Sequence, residues 1–150
     1  MGLTVCSRSI ALAMLVVPLS AWATLGENVS SVQADQARLN ATLSTNAAAK
    51  YTVFELQTPS GTVVREYVSP ANTVFAVAWE GPSLPDLRQL LGTYFSQYVD
   101  GAKTQGGGTG PRVIQEPGLV VYAGGRMGGF TGMAYVPPSV PEGVSVEEIR

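Results

Sequence analysis

From Tyr51 to Glu80 apolar residues recur at every second position, and from Leu87 to Tyr98 at every third or fourth. The first period predicts strands, whose side chains alternate between two faces, and the second a helix. Tyr51–Thr58 and Thr62–Val68 are rich in β-branched and aromatic residues and flank Pro59-Ser60-Gly61, which predicts a hairpin. A three-residue loop sets Thr58 opposite Thr62 and Glu55 opposite Arg65, a favourable cross-strand pair. A one-residue slip would set Glu55 against Glu66 or Val64. The loop Ser69-Pro70-Ala71-Asn72 leads to a third strand, Thr73–Glu80. Phe54, Leu56, Val64, Phe75, Val77 and Trp79 then share the expected core face. Val53, Val63, Tyr67, Val74, Ala76 and Ala78 make the other face fairly apolar as well. Such a sheet is covered on both sides, by a helix, a second layer or a partner. Glu66 falls on the core face and is expected at a sheet margin or beside a partner.

An earlier helix is predicted from Ser30 or Ser31, with Ser30 and Gln33 spaced as a capping box. Val32, Leu39 and Leu43 fall on one face, Gln36 occupies the place of a fourth apolar residue, and the pattern fades near Ser44-Thr45-Asn46. The passage "AWEGPSLPDL" (78–87) reads as a strand end, a Gly-Pro corner and a helix start. Ser83 is the expected N-cap, Pro85 lies in the first turn, and Asp86 meets the positive end of the helix dipole. Leu87, Leu90, Leu91, Tyr94, Phe95 and Tyr98 carry this helix to about Val99, with their aromatic rings expected in the core. After the loop 101–111 come strands at Arg112–Gln115, Leu119–Ala123 and Phe130–Val136. The proline-rich tail 137–150 closes on a turn capped by Ser145. The fold class is α+β: a mainly antiparallel sheet and two helices in the order αβββ-αβββ, helix 2 packed on the sheet.

The first residues change the picture of where the protein acts. Arg8 is the only charge in Met1–Ser9, Ile10–Leu19 is apolar, and Ala21-Trp22-Ala23 places small residues where a signal peptidase reads. Residues 1–23 are expected to be a secretory signal cut after Ala23, leaving 24–150 as a single domain with a flexible loop, 101–111, and the tail 137–150. Roughly ten apolar residues are too few for a bilayer span, which needs about 20. The protein is therefore expected in a periplasm or outside the cell, with no membrane anchor after cleavage. Cleavage removes Cys6, the single cysteine, so the remaining chain is disulfide-free. Loss of Arg8 takes the formal charge from −2 to −3, and clustered Lys and Arg for nucleic-acid binding are missing.

The chain contains no histidine. Without imidazole or, after cleavage, thiol, the Ser-His and Cys-His nucleophiles and the usual transition-metal ligands are excluded, and no cofactor is expected. Glu80 and Asp86 remain as a candidate acid and base for a carboxylate-dependent hydrolase, with Glu66 as a possible third carboxylate; Asp86 also fits a plain helix-start role. The glycine-rich 106–112 lacks the Gly-Lys-Ser/Thr ending of a phosphate loop and precedes a strand. Gly124-Gly125-Arg126-Met127-Gly128-Gly129 reads as a hairpin turn that presents Arg126 and Met127. With Phe130, and with Tyr67 and Val63 of the second sheet face, these form the candidate interaction surface. The residues favour a non-enzymatic binding or envelope-associated module that meets a protein partner, or itself, through an apolar sheet face.

"YTVFELQTPSGTVVREYVSPANTVFAVAWEGPSLPDLRQLLGTYF", the later "GLVV…GGRM..F.G.AYVP" and the closing "PEGVS.EEIR" resemble the domain-of-unknown-function family 2844. That resemblance covers nearly all of 24–150. It implies a single-domain exported protein of a Gram-negative bacterium and transfers no catalytic or binding residue.

Overall fold

A computed structural model describes residues 25–106 and 110–150; the expected signal, 1–23, lies outside them. Helix α1 (Ser30–Leu39) comes first, followed by four strands: β1 (Thr42–Ala47), β2 (Thr52–Gln57), β3 (Val63–Val68) and β4 (Val74–Gly81). A broken helix follows, α2 (Leu87–Leu91), one 3₁₀ turn and α3 (Phe95–Thr104). The chain then returns through β5 (Arg112–Glu116), β6 (Leu119–Arg126) and β7 (Gly129–Tyr135). The strands form one antiparallel sheet in the order β1-β2-β3-β4-β7-β6-β5. The fold is therefore α+β, with the helices packed on one face.

The β2–β3 hairpin has the expected register: Glu55 pairs with Arg65, and their side chains meet at 2.9 Å. Strand β1 differs from the expected helix tail. Asn40 adopts a left-handed conformation (φ 49°), stops α1, and turns Thr42–Ala47 back along β2. Its polar, exposed residues form a sheet edge, where burial imposes no alternation. The observed order is consequently α-ββββ-α-βββ, one strand more than expected.

A bulge between β3 and β4 corrects the face assignment. Val68 pairs with Val74, whereas Tyr67 pairs with Ala76, so Phe75 is an extra residue on β4. Val74 joins the helix-side core with Val64, Val77 and Trp79, while Phe75 turns to the opposite face beside Tyr67, Ala76 and Ala78. The two residues exchange the places that strict alternation would give them.

The helix starts also shift. Asn28 Oδ1, not Ser30, accepts the first free amide of α1, from Ser30 at 3.1 Å. Asp86, not Ser83, caps α2, accepting from the amides of Arg88 (2.9 Å) and Gln89 (3.3 Å). Ser83 instead pins the corner: Thr62 donates its hydroxyl to the Ser83 carbonyl at 2.8 Å. Gly81 (φ 155°) lies so close to Thr62 that a Cβ would sit 2.4 Å from its Cα. The Ala78–Leu87 passage is thus a packed corner. Helix α3 runs on to Thr104, so the first four residues of the expected loop 101–111 are helical. Gly101 permits this, because a Cβ there would strike Ile114 of β5 at 2.7 Å.

Leu87, Leu90 and Leu91 of α2 are buried on the sheet with Val32, Leu56, Val64, Val77 and Trp79, and Tyr94, Phe95 and Tyr98 pack against them as expected. The tail crosses the opposite face. Ile149 is buried there with Tyr67, Phe75, Ala76 and Ala78, while Val140, Val144 and Val146 pack alongside. Ser145 caps its last turn, accepting from the Glu147 amide at 3.3 Å. Among the described residues no helix is long and apolar enough to cross a membrane.

Candidate functional site

The tail covers only part of its face. One cross-strand row there runs Glu55, Arg65, Ala78, Met133, Tyr122, Val113, from β2 to β5. The Glu55–Arg65 ion pair closes one end, and Arg65 also donates to the Arg150 carbonyl at 3.2 Å. Ala78 in the middle is fully buried. Beyond it cover fails: Met133 and Tyr122 are half-buried, and Val113 on the edge strand is 39 % exposed. A groove of about 430 Å³ follows this uncovered end, lined by Val113, Tyr122, Met133 and Thr131 and bounded by Ile149 and Arg150.

The tail's position, and hence the groove wall, depends on Tyr67. Its hydroxyl donates to the Arg150 carbonyl at 2.9 Å and accepts from the Arg150 amide at 3.0 Å. Tyr51 adds a bond from its hydroxyl to Glu148 Oε2 at 3.0 Å. The rings of Tyr51, Tyr67 and Phe75 pack with centroids 5.7 to 6.2 Å apart, so an aromatic bed lies under the tail.

The structure divides the sequence-predicted surface. Arg126 and Met127 occupy the tip of the β6–β7 hairpin, where Arg126 pairs with Gly129 and Met127 is 97 % exposed. Phe130, one pair in from the tip, lies opposite Gly125 and Gly81. Gly124 and Gly125 carry the strand from the groove into that tip, so tip and groove are continuous. Tyr67 lies beneath the tail, 3 % exposed. Val63 is half-buried opposite Glu80, on the same sheet face. Val113, Tyr122 and Met133 were not singled out from sequence; their signal is the period-two pattern shared by three short strands.

Glu80 and Asp86 are not brought together. Glu80 borders the groove on the tail side, whereas Asp86 borders a separate hollow beside Arg38, Thr62 and Ser83. The Asp86 carboxylate is engaged as the α2 cap. Glu66 belongs to neither place.

Glu66 has instead the partner that its position demanded. It is 1 % exposed, in a row otherwise formed by Thr45, Phe54, Val77, Ala134, Val121 and Ile114. It interacts with Asp35 of α1, also 1 % exposed. Gln89 of α2 donates to Asp35 Oδ1. Burial, reinforced by the neighbouring Asp35, pushes the Glu66 carboxyl well above its usual range. Burial also raises Asp35, opposed by bonds from Gln89 and Glu66 and by the Arg38 charge. Burial therefore disfavours the state in which both carboxyls are ionised. Both groups are sealed from solvent, which denies a substrate access.

An antiparallel seven-stranded sheet, helices on one face and a half-covering tail on the other define the class: a small α+β protein with an apolar groove at one sheet edge. The sequence pattern of the family described as Protein of unknown function (DUF2844) matches residues 21–149, and the chain belongs to that family. The comparisons find no matching curated protein and no matching solved structure.

Proposed function

We propose that this is an exported, non-enzymatic binding module of the bacterial envelope, which takes an extended segment of a partner protein along β5. The observation that carries the reading is the Val113–Tyr122–Met133 row, which stays uncovered beside Ile149 and Arg150. Strand β5 is the last in the sheet, and a further strand can pair beside it by displacing Gln105 Nε2 from the Val113 carbonyl. A partner strand would place alternate apolar side chains in the groove, with Met127 at the adjacent tip. Glu116 at the end of β5 favours a segment carrying a basic residue at the matching position. Burying even 100 Å² of apolar surface there contributes about 2.5 kcal/mol before ordering costs.

A random-peptide display selection against the protein, repeated with Val113→Asp, tests the groove. Peptides with apolar residues at alternate positions should be enriched and should bind the variant at least about tenfold more weakly, ~1.4 kcal/mol. Failure to enrich such peptides, or equal binding to a folded Val113→Asp protein, overturns the reading. Export rests on the Ile10–Leu19 run followed by Ala21-Trp22-Ala23. Mass spectrometry of cell fractions should find a chain beginning at Thr24 outside the cytoplasm; an intact chain retained in the cytoplasm would contradict it.

A further inference from the structure

Helix α1 is held to the sheet by an unusual combination of residues. It buries only Ser31, Val32 and Asp35, so two of its three buried residues are polar. A helix docked by apolar burial normally presents a continuous apolar stripe. Here one aliphatic residue and one carboxyl occupy the centre of the contact, and the carboxyl meets another carboxyl.

With both acids ionised, this contact would be repulsive. Glu66 Oε1, Glu66 Oε2 and Asp35 Oδ2 are buried without a donor when both groups serve only as acceptors. Two adjacent buried carboxylates cannot both remain charged at tolerable cost. The neighbouring elements offer little neutralisation. From α1 come Arg38, whose charge favours Asp35, and Ser31, whose hydroxyl is buried and unpartnered. From α2 comes the neutral Gln89. Opposite Glu66 in the sheet stand Phe54 of β2 and Val77 of β4. One proton removes the conflict: a neutral Glu66 donates to an ionised Asp35, which Gln89 holds from its other oxygen.

We propose that a single proton shared by Asp35 and Glu66 is the latch that docks α1 on the sheet, and that its loss as pH rises releases the helix. The folded protein holds this proton at pH values where an unfolded or undocked chain has already lost it. The docked state therefore binds more protons, and its stability falls as pH rises from the ordinary carboxylate range towards the raised Glu66 value. Below the ordinary range both forms are protonated and the dependence vanishes. Between those limits one proton is worth a tenfold change in the docking equilibrium for each pH unit. The undocked form keeps its sheet, since α2, α3 and the tail retain their own contacts.

Native-state hydrogen exchange across this pH range, corrected for the intrinsic pH dependence of amide exchange, tests the latch on the full chain. Protection of the α1 amides should fall about tenfold per pH unit, while that of β4, β6 and β7 stays level. Glu66→Gln places a permanent donor beside Asp35 and should make α1 protection independent of pH. Glu66→Met, which also removes the titrating carboxyl, is the second variant should Glu66→Gln fail to fold, and should flatten the dependence likewise. Carboxyl ¹³C shifts of the wild-type protein report Glu66 directly, whether or not either variant folds. A level α1 profile, a fall shared by the whole sheet, an unchanged slope in a folded variant, or a Glu66 that ionises in the ordinary carboxylate range would each overturn the proposal.

Discussion

The two faces of this sheet are built from similar residues and closed in opposite ways. The helix face is sealed by α1, α2 and α3, and the acid on it, Glu66, is buried against Asp35. The tail face is closed by a single irregular segment, anchored by Ile149 and by the Tyr67–Arg150 bonds, and it stays open towards β5. Regular helices cover a wide area but bring fixed contact stripes. An irregular tail places one side chain at a time and covers a narrow strip, which is how a groove is left beside an intact core.

Breaking each face separately measures this contrast. The largest loss should come from Trp79→Ala on the helix face. Trp79 is 1 % exposed, and its indole fills the space above Gly132, where a Cβ would meet it at 2.3 Å. Urea unfolding should show a loss of about 3–5 kcal/mol, the usual cost of truncating a buried aromatic residue. Ile149→Ala on the tail face should cost about 2 kcal/mol, at the low end for a buried aliphatic residue, since a single-layer cover can collapse onto the space left. It should also raise hydrogen exchange at Tyr67 and Ala76 while leaving α2 unchanged. An equal loss for the two substitutions would mean that the tail is as integral as the helices. Val113→Asp should lie at the small end, within about 0.5 kcal/mol by the same urea measurement, because an exposed edge position contributes little to folding.

How far sequence reasoning reached follows from how local each cause is. The β2–β3 register was legible because loop length and an ion pair specify the same alignment. The Phe75 reversal was not, because a bulge leaves no mark in a period of two. Strand β1 escaped because Thr42–Ala47 is mostly polar, buries only part of Leu43 and is held chiefly by pairing with β2. The acid pair was half visible. Glu66 on a core face required a partner, but the gap in the α1 stripe was assigned to Gln36. The buried position is Asp35, three residues beyond Val32, and a carboxylate there reads as surface until the facing strand is known. The groove depended on the path the tail takes across the sheet, which no short segment encodes.

The strand order has a consequence for how the chain must assemble. Strand β4, "VFAVAWEG", is the most apolar ribbon in the sheet, and its free side is satisfied only by β7. The β1–β4 meander can form early from neighbouring segments, but β7 lies beyond two helices and two further strands. Until it arrives, a greasy ribbon with unpaired amides and carbonyls is displayed along its length, the kind of template on which foreign strands add. Closing the sheet on β4 is therefore a long-range event, which waits for the last third of the chain to be made.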